Sequence, residues 1–168
     1  MHIPGLLLRF SLLISLLSGV ARLSAQENPP IPVSVEVNTS QFLNFGAFTV
    51  GPNGGTITVT PDGNRTRTGN IYLLHLGETP SPALFDVMAN PGTIIQINAP
   101  GNVKLTGSNG GEIYLDINSF STGNLFITTV NPPAVNSVFV GGMLRISNQA
   151  AAVPGRYNGT FTLIFNHE

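Results

Sequence analysis

The sequence predicts an all-β fold, a single antiparallel β-sandwich behind a cleaved export signal. Three observations carry that expectation. Apolar residues recur at every second position through most of the chain, which is the period of a half-buried strand. Pairs built from Pro, Asn, Asp and Gly interrupt these runs about every nine residues, within the spacing of about 8–12 that marks a sandwich or barrel. Only 9% of residues are charged while 42% are apolar, the balance of a turn-rich folded domain and not of a disordered one.

The N-terminus reads as a secretory signal peptide over residues 1–25. Arg9 supplies the positive charge, residues 10–17 form a short apolar run, and Leu23-Ser24-Ala25 offers a cleavage site. Cleavage after Ala21, behind Gly19 and Val20, is the rival. Arg9, Arg22 and three serines break the stretch, whereas a membrane span needs about 20 mostly apolar residues. No second hydrophobic segment follows, so no transmembrane segment is expected in the mature chain, residues 26–168, which is long enough for one domain with a real core.

The elements then follow in order. Val33, Val35 and Val37 alternate with Ser34 and Glu36; Ile57 and Val59 alternate with threonines; Ile95 and Ile97 flank Gln96. Ile113, Leu115 and Ile117 alternate with Tyr114 and Asp116, and Leu125 and Ile127 continue the pattern. β-Branched residues at this period suit a pleated, half-buried surface. Residues 71–76 are apolar on both faces apart from His75, which predicts a central strand with a hydrogen-bonded core histidine. The last run is PGRYNGTFTLIF, with Tyr157, Phe161, Leu163 and Phe165 on one face and Asn158, Thr160, Thr162 and Ile164 on the other. Gly159 within it marks a bulge or a close backbone approach. Turns are expected at residues 52–55, 61–64, 91–92, 100–101, 109–111, 132–133, 141–142 and 154–155, where Pro presets one corner and Gly takes the next.

Composition excludes several function classes. Removing Arg9 and Arg22 from seven basic side chains leaves five against eight acidic ones, a net charge of −3, so nucleic-acid binding is not expected. There is no cysteine, which removes thiol catalysis, cysteine–zinc sites and a lipobox anchor. Asp62, Asn64 and Thr66 alternate as in a calcium loop, but the further acids are missing, and a turn between strands explains the same residues. Arg65 and Arg67 fit a grip on an acidic group or a solvated turn. Asp86, Glu112 and Asp116 do not assemble into a glycosidase pair by spacing. Asn38, Asn64 and Asn158 head sequons that matter only in a glycosylating host. No enzyme activity, metal or cofactor is expected.

The phrases FLNFGAFTVGPNGGTITVTPDGNRTRTGNIYLL, PALFDVMANPGTIIQI, VGGMLRIS and PGRYNGTFTLIF, in that order, resemble the bacterial domain-of-unknown-function family numbered 4402 over residues 42–165. Leu43-Asn44-Phe45-Gly46 and the closing Gly-x-Tyr-x-Gly strand also resemble spore-coat-U-type and other chaperone–usher pilins. The resemblance implies an exported, immunoglobulin-like or pilin-like sandwich with no known catalytic residue. It further implies that a strand from a neighbour finishes an incomplete sandwich, a form of β-augmentation. The candidate strand-exchange or core faces are then Val33, Val35 and Val37 at the start and Tyr157, Phe161, Leu163 and Phe165 at the end. Ile31, Val33, Val35 and Val37 alternate as a donor strand does, and equally as an ordinary first strand, the reading that sequential pairing favours. The expected function is that of an exported bacterial surface or secreted protein with a structural or adhesive role, a fimbria-like subunit whose partners are itself or homologous subunits. The alternative is an extracellular module binding glycan or protein; an outer-membrane barrel ranks last, because the runs fall short of spanning strands.

Overall fold

The computed structural model describes residues 32–38 and 40–168. The expected signal peptide, both cleavage sites and Ile31 lie outside the described residues. Among those residues the chain is entirely strand and turn. In order it forms β1 (Ser34–Val37), β2 (Phe48–Val59), β3 (Arg65–Leu73), β4 (Ala83–Met88), β5 (Ile94–Asn98), β6 (Asn102–Gly107), β7 (Glu112–Phe120), β8 (Leu125–Ile127), β9 (Asn136–Ile146), β10 (Tyr157–Asn158) and β11 (Ile164–His167). All pairings between these strands are antiparallel.

The larger sheet is built around β9. The first part of β9 pairs with β4, from Val140↔Ala83 to Asn136↔Val87. The second part pairs on that same side with β2, from Gly142↔Val59 to Ile146↔Gly55. β7 runs along the opposite side. Gly141 and Gly142 sit where the partner changes. The sequence suggests a turn there, but both glycines lie inside the strand. A Cβ on Gly142 would stand 3.0 Å from the Asp116 carbonyl and from Leu115, and one on Gly141 would strike the Val59 carbonyl. Bare backbone is what lets β2, β7 and β9 close up at this point. The turn expected at residues 52–55 is likewise absorbed, as a register shift within β2 between Val50 and Gly55.

β1 extends this sheet beyond β4, and β6 and β10 extend it beyond β7. The second sheet is small, in the order β11-β5-β8. Alternate side chains of the two sheets meet in one core. Ile57, Ile71, Val87, Ile95, Val138 and Val140 have no solvent exposure at all; of these, Ile57 and Ile95 sit at alternate positions that the sequence reading assigns to one face. The 0% residues are the share of burial that stabilises most, at about 25 cal/mol per Å² of apolar surface removed from water.

Two further expectations change. β3 is an edge strand, not a central one, because β9 occupies the other side of β2 and leaves β3 outside. It ends at Leu73, and His75 and Leu76 lie exposed beyond it, so His75 is not a core histidine. The C-terminal run is not one continuous ladder either. Tyr157 and Asn158 pair with β6, while Ile164 to His167 pair with β5 of the other sheet. The chain crosses between layers over residues 159–163.

Candidate functional site

The crossing segment is where the domain is least complete. Residues 159–163 are extended and keep the alternation of the sequence: Phe161 and Leu163 are half-buried against the core, and Thr160 and Thr162 are exposed. Yet these five residues have no ladder partner, and none of their amides or carbonyls meets another backbone group among the described residues. The chain leaves β6 after Asn158 at Gly159, whose missing Cβ makes room for Leu105. The close approach expected at Gly159 is therefore present, and it lies at the point where the pairing stops.

β11 continues the same open edge. It pairs only with β5. The Glu168 amide donates to the Ile94 carbonyl at 3.2 Å, so even-numbered residues direct their backbone groups to β5. By alternation, Phe165 and His167 direct theirs away from it, into the unpaired edge.

The interior face of β1 is only partly covered. In an antiparallel pair, residues directly opposite share a face. Val35 lies opposite Val87 and Val37 opposite Phe85, and Val87 and Phe85 are buried core residues. Val35 and Val37 therefore face the interior side, yet they remain 36% and 60% exposed. The ring of Phe85 meets those of Phe161 and Phe165, at centroid distances of 6.3 Å and 5.8 Å, so the C-terminal strand lies over β4. β1 pairs with β4, so the partly exposed Val35 and Val37 lie near the C-terminal strand. This shallow trough has close to it the unpaired backbone of residues 159–163 and the outward groups of Phe165 and His167.

All seven residues singled out from the sequence are accounted for. Val35 and Val37 are the partly exposed interior residues of β1, and Val33 is packed against the core beside them. Phe161, Leu163 and Phe165 hold the C-terminal segment in place. Tyr157 lies apart from the trough, its hydroxyl donating to the Val153 carbonyl at 2.7 Å, and burial pushes its phenol pKa up. β1 is paired within its own domain, as an ordinary first strand.

The other polar candidates do not converge. The Ser137 hydroxyl donates to Asp86 at 2.9 Å, Glu112 pairs with Lys104, and Asp116 pairs with Arg145. The hydrogen bond from Lys104 holds the Glu112 carboxyl below its usual range and raises the lysine. Arg65 neither grips an acid nor sits loose in a turn. Its guanidinium donates to the carbonyls of Phe45 at 2.9 Å, Ala47 at 3.2 Å and Leu74 at 3.3 Å, tying the chain before β2 to the chain after β3. Asp62 and Asn64 belong to the β2–β3 hairpin turn, closed by the Gly63 amide donating to the Thr60 carbonyl at 2.9 Å. The trough itself was not legible as a shape, because an uncovered valine and a covered one read alike in sequence.

A family model described as "Domain of unknown function (DUF4402)" matches residues 35–166, a span that begins in β1 and ends in β11. No curated protein and no solved structure matches the chain.

Proposed function

The chain belongs to the DUF4402 family, and on that premise we propose that it is an exported structural or adhesion-type subunit of the bacterial surface that assembles with copies of itself by strand addition. The observation that supports this reading most is the trough beside β11: unpaired backbone along residues 159–163 and on the free side of β11, near interior-facing valines left 36% and 60% exposed. An added strand would satisfy those backbone groups and cover Val35 and Val37 in one step, with main-chain bonds supplying affinity and alternate side chains supplying specificity. The expected signal peptide is consistent with export, and the lack of charged side chains between residues 157 and 166 leaves this edge without the usual protection against pairing.

The test is the assembly state of the chain purified as its host releases it, by size exclusion with light scattering. Multimers that survive mild detergent, dissociate on boiling and shrink to monomer in the double variant Thr162→Lys/Ile164→Lys are the expected result. A strict monomer at all concentrations, in the presence of a homologous neighbour as well as alone, would reject the reading.

A further inference from the structure

A second feature lies on the outer face of the large sheet, away from the trough. Val138 and Val140 point into the core, so Phe139 between them points outward. It lines a recess of about 350 Å³ together with Pro61, Pro82, Asp62, Gln41 and Ser121. The volume falls at the lower end of small-molecule sites, about 300–1,000 Å³.

The backbone of each polar residue there is held by hydrogen bonds, and each side chain keeps hydrogen-bonding capacity to spare. The hairpin turn carrying Asp62 is fixed by the Gly63 amide donating to Thr60 at 2.9 Å and the Thr60 amide donating to Asn64 at 3.0 Å. The Asp62 carboxylate has no hydrogen-bond or ion-pair partner among the described residues. Gln41 is anchored by its own amide donating to Asn38 and by the Leu84 amide donating to its carbonyl, both at 3.1 Å. Its side-chain amide nitrogen donates to the Pro82 carbonyl at 3.2 Å, which leaves the side-chain oxygen unused. The Ser121 hydroxyl accepts from the Phe139 amide at 2.9 Å, which leaves its proton to donate. The site therefore offers the Asp62 carboxylate and the Gln41 side-chain oxygen as acceptors, and the Ser121 hydroxyl and the second N–H of the Gln41 amide as donors, beside an apolar surface made of the Phe139 ring and Pro61, with Pro82 buried beneath.

That combination selects among ligands. Asp62 disfavours an anion, and a single carboxylate with one amide oxygen falls well short of the 6–8 oxygens of a calcium site. A wholly apolar group would bury the carboxylate without a partner. A sugar ring has what fits: an apolar face of C–H groups for Phe139 and Pro61, and hydroxyls that both donate and accept at the rim. We propose that this recess binds a neutral hexose unit of a glycan.

The test is an amide NMR titration of the purified chain with the methyl glycosides of glucose, galactose, mannose and N-acetylglucosamine. Saturable shifts confined to the amides of Asp62, Gly63, Ser121 and Phe139 with at least one sugar are expected. Affinity should fall at least tenfold, about 1.4 kcal/mol, in Asp62→Ala and in Ser121→Ala. Asp62 and Ser121 are exposed, and unchanged amide spectra elsewhere in the chain would certify both folds; Asp62→Asn, which keeps the shape, serves if Asp62→Ala does not fold. No saturable shift with any of the four sugars, shifts centred elsewhere, or undiminished binding in the variants would overturn the proposal.

Discussion

Tyr157 holds the approach to the C-terminal strand through one hydroxyl and one ring. The hydroxyl donates to Val153, and the ring lies over Gly107, where any Cβ would stand 2.8 Å from it. Tyr157→Phe should lose about 1 kcal/mol of stability, measured by chemical denaturation at neutral pH. The phenol's pKa is raised by burial above its usual 10.0, so between the unfolded and folded values the native state keeps a proton that the unfolded chain has released. Stability contributed this way is intact below pH 10, falls as pH rises toward the folded value, and should show as a downward slope that Tyr157→Phe removes. Arg65 is a second such residue. Arg65→Met deprives three carbonyls of a charged donor and should cost about 2 kcal/mol, read from the same denaturation curves. Gly159→Ala should cost about 1–3 kcal/mol by overpacking against Leu105. At this scale the sequence was a good guide where alternation decides. Phe161, Leu163 and Phe165 lie inward and Thr160, Thr162 and Ile164 outward, as read. It misled at His75, because an apolar neighbourhood in sequence does not say on which side of a sheet edge the residue ends.

Among the elements, the edges differ in how they resist pairing. β3 carries Arg65 and Arg67 and is kinked at Gly69, whose φ is 66°; β8 is three residues long. Both are ordinary ways to blunt an edge. β1 carries Glu36, but β11 and the segment before it have neither charge nor bulge. Placing lysines there with Thr162→Lys/Ile164→Lys should leave the monomer's stability within about 0.5 kcal/mol, as surface changes usually do, while it abolishes assembly; thermal melts and light scattering on one sample separate the two effects. Alternating strands such as β5, β7 and β8 were legible because none changes partner along a side: β5 and β7 each keep one pair of neighbours and β8 keeps one. β9 was not, since its glycines look like a turn and serve instead where three strands meet. The division of the last run into β10 and β11 was also hidden. Its alternation is unbroken, and only the identity of the partner sheets splits it.

For the whole molecule, the described residues form a sandwich in which interior-facing Val35 and Val37 of β1 stay partly exposed. The 168-residue chain carries a formal net charge of −1, so neither strong self-repulsion nor a basic surface is expected to dominate its associations. Intact mass of the released protein should show a first residue of Gln26, or of Arg22 if the earlier site is cut; a mass that retains Met1 would argue against export by this signal. The most direct measurement is amide hydrogen exchange at Phe161, Leu163, Phe165 and His167, followed from dilute to concentrated protein. Strand addition predicts rapid exchange at all four in the monomer and strong protection at all four once multimers form. Multimers that leave these amides as unprotected as before would contradict the account, since the chains would then be joined by some other surface.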